Sequence, residues 1–303
     1  NIGDPAGYKS GNSFIYANTI GNATNPNIRM GNLTTGSFLS NIGTTFSASS
    51  GLANFNGIAD FQTSTVVIGS AALPNIVMNV YMNSTSSSTS SYARGIYNYT
   101  GSTVTISSNI VTEINSNSTN TNSGDPVVIT GISNFSTTTG QIIELNSISG
   151  LRAINFSSSS GTGNVQRNKV YDLTIASSGT SPQIFGIEGG GSFTIPGWTY
   201  SNNMISLTNG PNTNPVSILG IYDRGFSTIL ISNYYFNSVN IGGSSSGGSL
   251  GSFAFYRDGI TTNTHRNNIY TNTRTGGTAT HYSIFLNSAT PASGWSASAS
   301  DYN

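Results

Sequence analysis

Cysteine is absent from this 303-residue chain, which excludes disulfide staples and thiolate metal sites. Charge is scarce: Asp, Glu, Lys and Arg make up 7% of residues, ten basic against ten acidic, where a soluble domain typically carries about 25%. Ten scattered cations cannot form the basic stripe that neutralises phosphates, so nucleic acid is excluded as a partner. No apolar run approaches the roughly 20 residues of a membrane-spanning helix, and no long stretch carries helical apolar spacing. An initiator Met and a signal peptide are also missing. The chain opens at Asn1 and closes at Ser300-Asp-Tyr-Asn303, which reads as the start of another repeat. It is therefore expected to be a segment of a longer protein.

What remains is dominated by Ser, Thr, Asn and Gly. Such a polar chain would be disordered if its apolar residues were too few or too dispersed to build a core. Here they make up 35% and fall in short bursts that return in register.

An asparagine leads those bursts. Asn75-Ile-Val-Met-Asn-Val, Asn109-Ile-Val-Thr-Glu-Ile, Asn168-Lys-Val-Tyr-Asp-Leu and Asn202-Asn-Met-Ile-Ser-Leu share one frame. Weaker copies open at Asn12, Asn41, Asn233 and Asn267, and Gly140-Gln-Ile-Ile-Glu-Leu fits with Gly in the leading place. The steps run from 28 to 34 residues, a period that marks a repeat architecture.

Each repeat holds three apolar pieces. The first is Gly-Ile-Tyr or a relative, as at Gly57, Gly95, Gly131, Gly186 and Gly220, with Phe253-Ala-Phe-Tyr in this place later. The second is a β-rich run such as Ser102–Ile106 or Ser227–Ile231, and the third is the Asn-led piece. Lengths of about 4–6 residues and β-branched enrichment specify strands. Three strands per repeat describe one turn of a parallel β-helix, so the chain is expected to be an all-β, right-handed solenoid. It should form a single segment over 1–303 with about nine turns, three short strands to each.

Within the Asn-led piece, the residues two and five places on are apolar: Val77 and Val80, Val111 and Ile114, Ile142 and Leu145, Val170 and Leu173. The same frame in the next copy gives Met204 and Leu207. All should face the core, with a bend between them because a plain strand alternates with period two. The asparagines should stack at an inward corner as an amide ladder, with Asn itself accepting a left-handed backbone there. Asn12, Asn41, Asn75, Asn109, Asn168, Asn202, Asn233 and Asn267 are the expected members, and Gly140 would interrupt them. The variable tracts Ser84–Ser91, Asn115–Pro126, Ser157–Asn164, Asn209–Pro215 and Gly242–Gly251 should be loops on one side of the solenoid.

Four residues after the leading position stand Glu113, Glu144 and Asp172. On adjacent turns these would form an acidic row. Oxygen ligands at that spacing suit Ca2+, and paired acids also serve glycoside cleavage. A solvated row relieved by Arg94, Arg152, Arg167 or Lys169 is the simpler expectation. Tyr222-Asp223-Arg224 and Tyr256-Arg257-Asp258 should form a surface ion-pair cluster. His265 and His281, the two histidines, belong to no nucleophile or metal motif and read as structural or surface residues. Tyr on the Gly-Ile-Tyr strands could stack into a face that binds sugar rings or packs against loops. Seven Asn-x-Ser/Thr matches, Asn98 and Asn134 among them, are expected by chance in this composition.

The C-terminal half carries a resemblance. Ile229-Leu-Ile-Ser-Asn-Tyr-Tyr-Phe-Asn-Ser-Val-Asn-Ile-Gly-Gly, Ser252-Phe-Ala-Phe-Tyr-Arg-Asp-Gly, Arg266-Asn-Asn-Ile-Tyr-Thr-Asn-Thr-Arg and His281-Tyr-Ser-Ile form a series. It resembles the right-handed parallel β-helix repeats of very large secreted surface proteins of Bacteroidota, which carry a type IX secretion sorting domain. The resemblance covers roughly residues 164–303 and implies an extracellular or cell-surface location, with no catalytic residue to carry over. The expected function is structural and non-catalytic: a rigid surface stalk, adhesin segment or filament building block. Its partners would be other copies of itself or other surface proteins, end to end, and glycans. The alternative is a β-helix that binds or cleaves polysaccharide.

Overall fold

A computed structural model describes residues 14–16, 27–29, 33–34, 38–46, 54–60, 66–71, 74–84, 92–99, 103–115, 128–135, 141–144, 146–149, 152–156, 162–173, 183–189, 198–208, 216–224, 231–258, 262–287 and 300–301. The strands form three long parallel sheets of nine, nine and eight members, and the chain visits them in strict rotation. Sheet 1 takes the Asn-led pieces: Phe38–Phe46, Ile76–Ser84, Ile110–Asn115, Ser147–Ser149, Lys169–Tyr171, Met204–Leu207, Ser238–Ile241 and Ile269–Asn272 are members. Sheet 2 takes the Gly-Ile-Tyr pieces, among them Tyr92–Asn98, Val128–Asn134, Gln183–Gly189, Ser217–Asp223, Ser252–Asp258 and His281–Asn287. Sheet 3 takes the β-rich runs, including Val104–Ser107, Gln141–Glu144, Gly163–Gln166, Thr199–Ser201, Ile231–Tyr235 and Thr262–Arg266. The fold is an all-β parallel solenoid with three strands per coil.

Parallel pairing in register stacks like on like, and the core is therefore a set of columns. Ile58, Ile96, Ile132, Ile154, Ile187 and Ile221 follow one another in sheet 2, and Phe255 continues them. All seven are buried; each buried side chain of this size contributes about 1.5–3 kcal/mol. In sheet 3 the column runs Ile68, Ile106, Ile143, Val165, Tyr200, Tyr234 and His265, changing from aliphatic to aromatic. Tyr200 and Tyr234 stack with centroids 4.6 Å apart, and Tyr234 and His265 at 4.7 Å. Those spacings match the roughly 4.8 Å between neighbouring strands, so register alone places the rings face to face.

The Gly-Ile pair has a geometric reason. A Cβ on Gly57 would sit 2.6 Å from the Gly95 carbonyl oxygen and 2.9 Å from Val77 Cγ1, and one on Gly186 would meet the Gly220 oxygen at 2.5 Å. The glycine therefore points inward against the valine or isoleucine of sheet 1, and the following Ile points inward as well. Two consecutive inward residues break strand alternation, so each sheet 2 strand bends there.

Among the coils whose side chains are described there, the expected bend after the sheet 1 strand occurs in one. Asp172 has φ +51° and turns Leu173 into the core behind Val170. In the next two coils alternation is unbroken: Ile205 and Leu207, then Val239 and Ile241, are buried at every second place. Met204 is 56% exposed, contrary to the expectation that it faces inward, because the frame there starts one residue later than Asn202. Of the variable tracts, most fall between sheets 1 and 2, but Ser157–Asn164 opens between sheets 2 and 3, so the loops do not share one side. Gly242–Gly251 holds a short strand, Ser244–Ser245, which pairs with Thr275–Gly276.

Candidate functional site

The corner between sheets 3 and 1 carries the most regular chemistry. Asn75, Asn109, Asn146, Asn168, Asn203, Asn237 and Asn268 each sit immediately before a sheet 1 strand and are buried. From Asn75 to Asn237, each Nδ2 donates to the Oδ1 of the Asn one coil on, at 2.9–3.0 Å throughout. From Asn109 onward the same Nδ2 also donates to a sheet 3 carbonyl of the coil before, as Asn203 does to Val165 at 2.8 Å. Each Oδ1 from Asn146 onward accepts a second bond, from a backbone N–H, as Asn237 does from Asn203 at 3.1 Å. Both donors and both lone pairs of an interior rung are thus used, which is the condition for burying an amide without penalty.

The structure places the sequence-predicted asparagines unequally. Asn75, Asn109 and Asn168 stand on the ladder. Asn202 and Asn267 stand one residue before it, and the rungs are Asn203 and Asn268. Asn233 lies inside the sheet 3 strand Ile231–Tyr235, and the rung of that coil is Asn237. Asn41 lies inside Phe38–Phe46, past the residue that pairs with Ile76, and Asn12 is outside the described residues. Gly140 is not a break: the rung there is Asn146, and Gln141–Glu144 belongs to sheet 3. The left-handed backbone is also not on the rung. It is on the residue before, with φ of 54–57° at Ser108, Arg167, Asn202, Phe236 and Asn267. Corner geometry and amide stacking, expected of one residue, are divided between two.

The acidic row does not form. Glu113 and Asp172 belong to the sheet 1 side of the coil, whereas Glu144 ends a sheet 3 strand and pairs in register with Gln166. The physical reason is a shortened coil: Asn146 and Asn168 are 22 residues apart, so a frame near 30 residues lands on the wrong strand. Asp172 is exposed. Of the expected cationic partners, Arg94 lies over the Tyr97 ring at 4.3 Å and Lys169 over Tyr171 at 5.1 Å. Among the described residues no three His, Cys, Asp or Glu side chains gather as a metal site would require.

The pair Asp223 and Arg257, expected on the surface, is inside the solenoid at 2% and 0% exposure. The inward Gly-Ile step resets the strand phase, turning the tyrosine out and the next residue in. Asp223 accepts from the Tyr234 hydroxyl at 2.9 Å and from Asn263 Nδ2 at 2.8 Å, and an Arg257 nitrogen lies 3.3 Å from Asn263 Oδ1. Burial lowers the Arg257 pKa, opposed by the Asp223 charge. Burial, and then the Asp223 charge, hold the Tyr234 hydroxyl well above its usual range. His265 is fully buried beside Tyr234, Phe255 and Tyr270. Burial first, and the Arg257 charge second, push its pKa down to about 3, so it is neutral at ordinary pH. His281 lies nearer the surface, 2.8 Å from the Ser252 hydroxyl.

The outer face of sheet 2 forms a groove of about 650 Å3. The bend at the inward Gly-Ile pair folds this face, leaving Phe185, Leu219 and Phe253 on one flank and Glu188, Tyr222, Tyr256 and Phe285 on the other. Tyr222 donates to Asp258 at 2.9 Å. Burial, then that bond, raise its pKa. Arg224 pairs with Glu188 at 3.3 Å. Sequence reasoning had the tyrosine column but not the concavity, which needs the bend. Upstream on this sheet Asn98 donates to Asn134 at 2.7 Å. Both are fully buried, which removes them as glycosylation acceptors.

No protein-family model, curated protein sequence or solved structure matches this chain.

Proposed function

We propose that the chain is a structural segment of a secreted, surface-exposed protein, a rigid stalk, adhesin segment or filament building block in which the solenoid is itself the function. The observation that carries this reading is the unbroken amide ladder from Asn75 to Asn268. Six amide-to-amide bonds tie seven successive coils together along the axis, which is what a rigid rod requires. The cluster of Asp223, Arg257, Asn263 and Tyr234 faces inward, its members joined through hydrogen bonds to one another, which supports a packing role over one in reaching a substrate. The sparse charge, abundant Ser, Thr and Asn, and the resemblance to type IX secretion substrates of Bacteroidota support an extracellular location.

End-to-end association is the expected mode of assembly. Tyr270, Ile284 and Leu286 pack on the core but stay partly exposed, and another layer of strands, from the same chain or another copy, would bury them. Small-angle X-ray scattering and negative-stain electron microscopy of the purified segment test the reading. A rod with a rise of about 4.8 Å per coil and concentration-dependent lengthening are expected. A compact particle, or release of reducing ends from polysaccharide by the purified segment, overturns it.

A further inference from the structure

The groove on the outer face of sheet 2 presents a chemistry that selects a ligand. The strand Ser217–Asp223 is paired on both sides, with Gln183–Gly189 and with Ser252–Asp258. No backbone edge is open along the groove floor, so a peptide cannot be recognised there by strand addition. Recognition must come from side chains. Those on offer are aromatic rings, at least one on each of the four strands, with Gln183, Glu188, Arg224 and Asn287 beside them.

The rings form two linked tiers. Phe185 stacks on Tyr222 with centroids 5.5 Å apart, Tyr256 on Phe285 at 5.3 Å, and Phe253 meets Tyr256 edge-on at 4.9 Å. Tyr222, Phe253, Tyr256 and Phe285 are only partly buried, leaving ring surface for a ligand. Glu188 is neutralised by Arg224, whereas Asp258 accepts from the neutral Tyr222 hydroxyl and Asn287 amide at 2.9 Å and keeps its negative charge. An anionic polymer would therefore be repelled, while a neutral ligand with hydroxyl groups meets fixed donors and acceptors. The volume lies within the roughly 300–1,000 Å3 of small-ligand sites. The strand spacing of about 4.8 Å is comparable to the length of one sugar ring, so an extended glycan can keep step with the coils.

We propose that this groove binds a neutral linear oligosaccharide, with sugar rings lying against Tyr222, Phe253 and Tyr256 and hydroxyls on Glu188, Arg224 and Asn287. The site stands on the folded solenoid but not on the stalk or filament reading, and it would make the segment adhesive toward glycans.

Titration calorimetry with cellohexaose, xylohexaose and chitohexaose, and with hexagalacturonate as the charged control, tests the proposal. At least one neutral hexasaccharide should bind with a Kd between about 10 μM and 1 mM. Phe253→Ala and Tyr256→Ala should each weaken it by about tenfold or more, while Tyr222→Phe, which keeps the ring, stays within about threefold. Tyr97→Ala, three coils before the nearest groove strand on the same sheet, should leave binding unchanged. Circular dichroism and thermal melting establish that each variant is folded; if Phe253→Ala is not, the half-exposed Arg224→Ala carries the same comparison. Four results overturn the proposal: no neutral probe binding at about 5 mM, binding indifferent to the ring deletions, preference for hexagalacturonate, or self-association that Phe253→Ala abolishes, which would assign the groove to a second copy. Rod shape in scattering is independent of all four, so failure of the glycan site and failure of the stalk reading are separately visible.

Discussion

Asn146 and Asn168 are 22 residues apart in sequence, and their side-chain amides are 3.0 Å apart in space. Asn109 and Asn146 make the same contact at the same distance across 37 residues. The contact is therefore set by position on the coil, not by chain length between rungs. The difference in length falls between strands, where added length costs little entropy, and the ladder continues past it.

Removing an interior rung should be expensive. Asn203→Ala deletes the acceptor of both the Asn168 amide and its backbone N–H, one donor to Asn237 and the donor to Val165. Buried groups left without partners cost about 1–3 kcal/mol each, partly relieved by relaxation, so a loss of roughly 2–4 kcal/mol is expected. Asn202→Gly, one residue earlier, should be close to neutral because Gly accepts φ of 54° freely. Chemical denaturation of the two variants side by side checks this; equal effects would mean the ladder is not what the corner depends on.

Phe236 occupies the left-handed corner position with φ +57° while 56% exposed. A bulky side chain there is strained by about 1–2 kcal/mol, which Asn tolerates better. Phe236→Asn, matching Asn202 and Asn267, should raise stability by about 1 kcal/mol. Phe236→Val should lower it, since a β-branched residue is still less suited to that backbone. Melting temperatures of the pair give the answer by their opposite signs.

The period, the strand type and the three-piece coil were legible because they repeat, and repetition survives local error. What was not legible is phase. Asn202-Asn203 and Asn267-Asn268 offer two asparagines for two adjacent jobs, and composition cannot say which one stacks. Leu145-Asn146 hides a rung because its coil is short, so the frame falls on Gly140 and carries Glu144 to a different sheet. Tyr222-Asp223-Arg224 reads as a surface cluster under simple alternation. Gly220 and Ile221 both turn inward, and Asp223 follows them into the core. The Asn202, Asn267 and Asp223 misses are one-residue phase shifts, and the Gly140 miss comes from a short coil; bends and coil lengths are three-dimensional features that a linear pattern does not carry.

Gly220 should not accept a side chain. A Cβ there would meet Val239 Cγ1 and lie 2.6 Å from the Ala254 carbonyl oxygen. Overpacking of this kind costs about 1–3 kcal/mol, and the backbone oxygen cannot rotate away. Combining Gly220→Ala with Val239→Ala clears the side-chain contact, so the double variant should be more stable than the sum of the singles predicts. A double-mutant cycle measures that coupling, expected at about 0.5–1 kcal/mol; additive losses would place the strain entirely in the backbone contact.

His265 should make stability fall in acid. Its folded pKa is about 3, against about 6.5 in the unfolded chain. Below pH 6.5 the unfolded state binds a proton that the folded state refuses, so stability declines as pH falls, by about 1.4 kcal/mol per unit. The decline ends near the folded pKa, where both states are protonated. His265→Phe keeps a ring on Tyr234 and loses the 3.0 Å contact with the Tyr270 hydroxyl, a cost of roughly 1 kcal/mol at every pH. Carboxylates titrate in the same acid range in both proteins, so the informative quantity is the stability difference between wild type and variant as a function of pH. It should favour wild type near neutrality, reverse just below about pH 6, and favour the variant increasingly toward pH 4. A difference that stays flat from pH 7 to pH 4 would mean that His265 is protonated in the folded solenoid, and that the aromatic column accommodates an imidazolium beside Arg257.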